Sequence, residues 1–227
     1  MTQLLYVRAN PKGLAQSTSL RLGQHFVGAY QAERPGTQLA CLDLYEDDIP
    51  LLDADVMTAW GKLAQETQLS APEAHKVPRL GELVDQFLAS DVLVYAMPMW
   101  NFRYPPMVKA YMDAVAVAGK TFQYTAQGPV GLTSGKQAVV LESRGGYWTG
   151  EDARPFEHSV SHLKVFLNFL GVTDIHTVFA EGLNVDPARS YEILAEAQAR
   201  AGRLARVLAA GPAPSPDQQH PEQLHGD

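Results

Sequence analysis

The apolar positions of the chain alternate between short unbroken runs and longer stretches with a period of three to four residues. The first run is 4–7, Leu4 to Val7. A turn-rich loop over 10–16 follows. Leu20, Leu22, Phe26, Val27 and Tyr30 then share one helical face behind Ser17, Thr18 and Ser19, with Ser17 or Thr18 suited to the N-cap. Arg34-Pro35-Gly36 ends that helix, and 37–44 predicts a second strand through Leu39, Ala40, Cys41 and Leu42. An acidic connection holding Asp47, Asp48, Asp53 and Asp55 leads into a helix over 56–67. Pro78 opens another, with Leu80, Leu83, Val84, Phe87 and Leu88 as its stripe.

The run at 92–98 has no polar alternation, which is how a strand buried on both faces reads. It breaks at Pro98 into Met99-Trp100-Asn101-Phe102. Pro105-Pro106 begins a helix over 107–115. Residues 121–125 alternate and Gly128-Pro129 turns, so this segment reads as a short hairpin excursion. A fourth strand at 137–143 runs straight into Arg144-Gly145-Gly146, and an apolar helix over 160–170 is closed by Gly171. Residues 175–180 are a fifth strand and 187–210 a final Ala-rich helix. Five strands alternating with helices predict an α/β fold: one five-stranded parallel sheet with helices on both faces. Residues 1–210 make one domain. From Gly211 the composition turns to Pro, Ser and polar residues, which predicts a disordered tail over 211–227 with His220 and His225 as part of it.

Composition narrows the function. The chain of 227 residues is 46% hydrophobic and 19% charged, ordinary for a globular protein. No apolar run reaches the roughly 18 residues of a membrane helix, and the N-terminus lacks the features of a secretory signal. The single cysteine, Cys41, allows no disulfide within one chain, fits a cytoplasmic location, and reads as a small buried hydrophobe. A net charge of −7 with no Lys/Arg cluster disfavours nucleic acid and anionic membranes as partners.

Three loops, 9–19, 97–106 and 143–150, follow parallel strands and so share the carboxyl edge of the sheet, where open α/β sheets bind ligands. The first ends at a helix N-terminus, where free N–H groups and the dipole suit a phosphate. Gln16, Ser17, Thr18 and Ser19 add donors there, and an ordinary N-cap is the alternative. No Gly-x-Gly-x-x-Gly occurs, which argues against a Rossmann dinucleotide loop, and Gly119-Lys120-Thr121 is not a P-loop, because Ala114 stands where the first glycine of Gly-x-x-x-x-Gly-Lys-Ser/Thr is needed. In the second loop Trp100 and Phe102 can pack on a planar ring, and Asn101 can bond ring heteroatoms; core filling is the alternative for the aromatics. In the third, Gly145 and Gly146 allow close backbone approach, with a flexible turn as the alternative. A phosphate at one loop and a flat heteroaromatic between the other two suggest FMN.

The segments Ala96 to Phe102, Lys109-Ala110-Tyr111-Met112-Asp113, Gly119 to Tyr124, Ser143-Arg144-Gly145-Gly146 and Val178-Phe179-Ala180-Glu181-Gly182 closely resemble, in order, the bacterial FMN-dependent NADH azoreductases, also described as FMN-dependent NADH:quinone oxidoreductases. The resemblance implies a flavodoxin-like fold of strand order 2-1-3-4-5 and a homodimer with one FMN per subunit at its interface. It implies that Met99, Trp100, Asn101 and Phe102 hold the flavin ring and that Ser143, Arg144, Gly145 and Gly146 contact its pyrimidine edge. Asn10 and the Ala15-Gln16-Ser17 segment, with Thr18 beside them, hold the phosphate. Phe122, Tyr124 and Tyr147 shape the substrate pocket. The chain departs from the family at Trp100, usually tyrosine, and at Asn10 and Ala15, often serine.

By the same resemblance NADH, or NADPH, donates a hydride to the flavin N5. Quinones, azo dyes and nitroaromatics then accept it in a ping-pong sequence, with no amino-acid acid or base assigned. Two rivals stand beside this reading: a flavodoxin-type one-electron carrier, and a flavin-free interaction or sensor module on the same fold.

Overall fold

The bare apolar run at 92–98 becomes the middle strand of a parallel sheet, and all seven of its residues are buried. The computed structural model describes residues 1–211, the side chain of Arg154 aside. Its elements run β1 (Gln3–Arg8), α1 (Thr18–Glu33), β2 (Gln38–Asp43), α2 (Ala54–Ala64), α3 (Ala71–Ala89), β3 (Val92–Pro98), α4 (Pro106–Val115), β4 (Phe122–Thr125), β5 (Gly128–Gly131), β6 (Gln137–Ser143), α5 (Val160–Leu170), β7 (Asp174–Ala180) and α6 (Ser190–Ala210). The expected tail, with His220 and His225, lies outside the described residues from 212 onward. Among the described residues no helix is long and apolar enough to cross a membrane.

The sheet order is β2-β1-β3-β6-β7, every pair parallel. The expected 2-1-3-4-5 matches this in outline only. The excursion after α4 forms two strands of its own, the antiparallel β4–β5 hairpin, so the last two strands of the main sheet are the sixth and seventh of the chain. The pleat sends alternate side chains to opposite faces. Leu5, Val7, Leu93, Tyr95 and Met97 pack with α3, α4 and α5 on one side. Leu4, Tyr6, Val92, Val94 and Ala96 pack with α1 and α6 on the other. The chain leaves β1 toward β2 and returns on the other side as β3, so the switch point of the sheet lies between β1 and β3.

Several boundaries differ from the sequence reading. Ser17, rather than Thr18, caps α1, its Oγ accepting from the Leu20 N–H at 3.2 Å. The third helix starts at Ala71, not at Pro78. Glu73 reaches back to the Ser70 N–H at 2.7 Å in a capping box, and Lys62 anchors the same carboxylate at 2.8 Å. Pro78 is carried inside that helix on an exposed position. Pro187–Arg189 forms a separate 3-10 turn, and α6 begins only at Ser190. Cys41 is exposed rather than buried. It lies on the edge strand β2 beside Tyr6, where α1 presents Gln24, Gly28 and Gln31 and leaves an open groove.

Candidate functional site

The first carboxyl-edge loop leaves β1 and is tied internally. Asn10 Oδ1 accepts from the Lys12 N–H at 2.9 Å, and its Nδ2 donates to Ser17 Oγ at 2.9 Å. Ser17 Oγ also lies 3.1 Å from Ser19 Oγ. Asn10, Ser17 and Ser19 are buried, Thr18 half-buried and Gln16 exposed. The Ser17 hydroxyl is therefore engaged as a cap. The first-turn N–H groups of Thr18 and Ser19 have no carbonyl within their own helix, and they stand at the positive end of its dipole.

The second loop is a tight reversal. Trp100 N–H donates to the Arg103 carbonyl at 2.6 Å and Arg103 N–H to the Trp100 carbonyl at 2.9 Å. Asn101 and Phe102 occupy the two central positions with φ of 46° and 69°. A two-residue turn of this kind needs positive φ at both positions; asparagine takes it readily and phenylalanine does not. The Phe102 ring is held edge-on to Trp148, centroids 5.3 Å apart, and against Phe156 at 5.7 Å. Its carbonyl accepts from the His158 N–H at 3.0 Å. The strained conformation is thus fixed from outside the turn.

The third loop is zipped to the turn after β7. The carbonyls of Arg144, Gly145 and Gly146 accept from the N–H groups of Leu183, Asn184 and Gly182 at 3.2, 2.9 and 3.1 Å. In a planar trans peptide the N–H of the next residue points opposite to the carbonyl. The N–H groups of Gly145, Gly146 and Tyr147 therefore face away from that turn, and none has a protein acceptor among the described residues. Met99 N–H donates to the Ser143 carbonyl at 2.9 Å, joining the second and third loops. Between them lies a cavity of about 400 Å3 lined by Met99, Asn101, Phe102, Gly145, Gly146, Trp148, Asn184 and Val185.

Behind the third loop sits a buried ionic cluster. Arg144, only 1% exposed, donates from Nε to Glu142 at 2.5 Å and from one terminal nitrogen to Glu181 at 2.9 Å. Its other terminal nitrogen lies 3.5 Å from Glu157, and its guanidinium stacks 3.7 Å over the Phe179 ring. Ser159 donates its hydroxyl to Glu142. Burial pushes the Glu142 carboxyl up to about 7, against the opposing pull of the Arg144 cation and the Ser159 hydroxyl.

The structure thus brings Met99, Asn101, Phe102, Gly145 and Gly146 around one cavity and sets Asn10, Ser17 and Thr18 at the helix start along the same sheet edge. Other expected residues stand elsewhere. The Trp100 ring lies edge-on to Tyr45 at 6.3 Å, and Trp100 does not line the cavity. The Arg144 side chain is committed to three carboxylates, and its N–H to the Ala180 carbonyl at 2.8 Å. Phe122 is a core residue, packed 4.6 Å from Phe169. Tyr124 is 76% exposed on the hairpin and does not line the cavity. Tyr147 lies over Gly182, whose added Cβ would stand 2.4 Å from its ring, and faces a different depression. Trp148 and Asn184 line the cavity without having been singled out from the sequence: Trp148 follows two residues after the Gly-Gly pair, and Asn184 sits in a turn whose proximity only the sheet order reveals.

The donor set suits a ligand with a phosphate and a flat ring bearing hydrogen-bond acceptors on one edge. Helix-start N–H groups lie at one end, and at the other are aromatic walls with three backbone N–H groups that have no acceptor among the described residues.

A protein-family model described as flavodoxin-like fold matches residues 2–204. The chain is 43% identical over 208 residues to an FMN-dependent NADH:quinone oxidoreductase of Staphylococcus haemolyticus, covering 92% of this chain and 100% of the relative. It is 43% identical over 211 residues to FMN-dependent NADH:quinone oxidoreductase 2 of Bacillus subtilis, with the same coverage. A solved FMN-dependent NADH-azoreductase of Bacillus anthracis, in complex with FMN, superposes with a TM-score of 0.87 at 33% identity, covering 92% of this chain and all of that one.

Proposed function

Because the chain belongs to the flavodoxin-like family that includes FMN-dependent NADH:quinone oxidoreductases and NADH-azoreductases, we propose that it is an FMN-dependent NADH:quinone oxidoreductase whose FMN is held by the loops after β1, β3 and β6. The observation that carries this reading is the cavity between Asn101-Phe102 and Gly145-Gly146, beside which the N–H groups of Gly145, Gly146 and Tyr147 lack protein acceptors among the described residues. Gly145 and Gly146 are half-buried, so a ligand edge would take the place of water on these donors.

The start of α1 would hold the phosphate through the N–H groups of Thr18 and Ser19, with Asn10, Gln16, Ser17 and Thr18 around it. Met99, Asn101 and Phe102 would wall one side of the ring. The N–H groups of Gly145, Gly146 and Tyr147 would meet its pyrimidine edge, with Ser143 beside them. FMN held by these loops would supply the hydride chemistry that couples NADH oxidation to reduction of the acceptor, in a ping-pong sequence. The chain's own residues bind, orient and exclude water. The edge-on pair Phe102 and Trp148 offers aromatic surface to flat acceptors, a pocket defined by shape that discriminates weakly between them. Azo compounds and nitroaromatics belong to that acceptor range alongside quinones.

Residues 1–210 act as the FMN-binding domain. The exposed apolar side chains of Tyr124, Val130 and Leu132 on the hairpin, and of Val165 on α5, support a homodimer. A cytoplasmic location fits the single cysteine.

The test is anaerobic stopped-flow mixing of the FMN-loaded protein with NADH or NADPH, then with quinones, azo dyes and nitroaromatics. Bleaching of the flavin band by nucleotide and its return on adding acceptor are expected, with parallel double-reciprocal plots in steady state. A band unchanged by both nucleotides would instead favour a one-electron carrier. Protein that takes up no FMN would favour a flavin-free module.

A further inference from the structure

We propose that Glu181 is a positioning residue that sets the direction of the ring-binding N–H groups in the third loop. The inference rests on the FMN reading above. Glu181 follows the last residue of β7, and its carboxylate reaches both ends of the loop. Oε1 accepts from Arg144 at 2.9 Å, where the loop begins, and from the Trp148 N–H at 2.9 Å, where it ends. Oε2 accepts from the Thr149 hydroxyl at 2.6 Å. Between these ties lie Gly145, Gly146 and Tyr147, whose N–H groups have no protein acceptor among the described residues. One of the tied residues, Trp148, also lines the cavity with its side chain.

Arg144 does not depend on this carboxylate alone. Arg144 already has Glu142 at 2.5 Å and Glu157 at 3.5 Å, so Glu181 makes three carboxylates around one guanidinium. The Thr149 hydroxyl is on an exposed residue and could be served by water. What the carboxylate adds is geometry: a charge-assisted clamp across a Gly-Gly segment that has no side chains to hold its own shape. The carbonyls of Arg144, Gly145 and Gly146 are held by the turn after β7, and the Glu181 carboxylate ties the two flanks of the same segment, so both together set its shape before the ligand arrives.

The experiment compares wild type, E181Q and E181L, each reconstituted with isotope-labelled FMN. The NMR resonances of the ring nitrogens N1 and N3 report on the pyrimidine edge, and the phosphorus resonance reports on the α1 site. In E181L, N1 and N3 should move while phosphorus stays, and FMN affinity should fall about tenfold, the scale of one lost hydrogen bond. E181Q keeps an acceptor for Trp148 and Thr149 but loses the ionic tie to Arg144, and should move N1 and N3 measurably but less. Ring resonances at their wild-type positions in E181Q, or a phosphorus shift as large as the ring shifts in either variant, would overturn the proposal. If E181L does not fold, the E181Q result decides alone. Failure of the wild type to bind FMN would overturn the proposed function and not this clamp.

Discussion

A Cβ added to Gly145 would stand 2.5 Å from the side-chain amide nitrogen of Asn184, while the Asn184 N–H donates to the Gly145 carbonyl at 2.9 Å. The backbones of the two residues are tied, and a Cβ at Gly145 would have to displace the end of the Asn184 side chain. The partner across the loop thus favours glycine here. In Gly145→Val the Asn184 side chain must leave or the loop must lift, and either change moves the N–H groups that line the cavity. FMN affinity should fall by about tenfold or more, the scale of a lost hydrogen bond, with the far-ultraviolet circular dichroism unchanged. Adding Asn184→Ala to Gly145→Ala removes the clash, so the double variant should bind FMN more tightly than Gly145→Ala alone in a flavin-fluorescence titration. A double variant no tighter than the single one would locate the need for glycine in the ligand instead.

The Asn101-Phe102 turn makes a second prediction. Placing a β-branched residue at the positive φ of Asn101 costs about 1–2 kcal/mol. In a chain of this size that lowers the melting temperature by about 2–4 °C per kcal/mol. Asn101→Val should therefore melt measurably lower without FMN. Phe102→Gly relieves the same strain but loses the contacts with Trp148 and Phe156, so its melting temperature should stay near wild type while FMN affinity drops. Thermal denaturation of the apoprotein and FMN titration of both variants check this. Equal melting temperatures for wild type and Asn101→Val would show that the turn holds no strain.

The elements that position the site were legible in the sequence because their signals are local. The apolar run at 92–98, the Ser17 cap and the Gly171 stop each follow from a few neighbouring residues. One miss was local: Pro78 looked like a helix start because a proline signal is strong, yet the Ser70–Glu73 capping box had already begun that helix. The other misses were non-local. Cys41 has an apolar neighbourhood in sequence, but it sits on an edge strand beside an incompletely covered groove. Tyr147, Phe122 and Trp100 are aromatic residues in or near these loops, and only tertiary packing decides that they lie against Gly182, Phe169 and Tyr45. Glu142 and Glu181 carry no sequence sign that both converge on Arg144.

A third prediction separates cap from ligand at the start of α1. Ser17→Ala removes an N-cap, which costs about 1 kcal/mol, and leaves the buried Asn10 amide without its acceptor. Both effects lower the stability of the apoprotein whatever binds there. If the helix start holds a phosphate, the variant should also lose affinity for FMN while its affinity for riboflavin, which lacks the phosphate, stays at the wild-type level. Equal losses for the two flavins would mean that Ser17 serves only the helix.

The buried cluster behind the third loop predicts a pH dependence with a definite sign. Glu142 is enclosed by Arg144 and Ser159, with the carboxylates of Glu157 and Glu181 on the same guanidinium. Burial raises its pKa from 4.5 to about 7 in the folded chain. Between those values the folded chain binds more protons than the unfolded one, so the contribution of this group to stability is full below about 4.5 and is lost as pH rises toward 7. Glu142→Gln is a neutral isostere that cannot titrate. The stability of wild type minus that of Glu142→Gln, from urea midpoints of the apoproteins, should therefore fall between about pH 5 and pH 8 and level off above the folded value. The slope isolates Glu142, because the ionisable groups remote from the cluster are common to both proteins and cancel in the difference. A difference that stays flat over this range would mean that Glu142 is ionised throughout, with Arg144 acting as its full counter-ion.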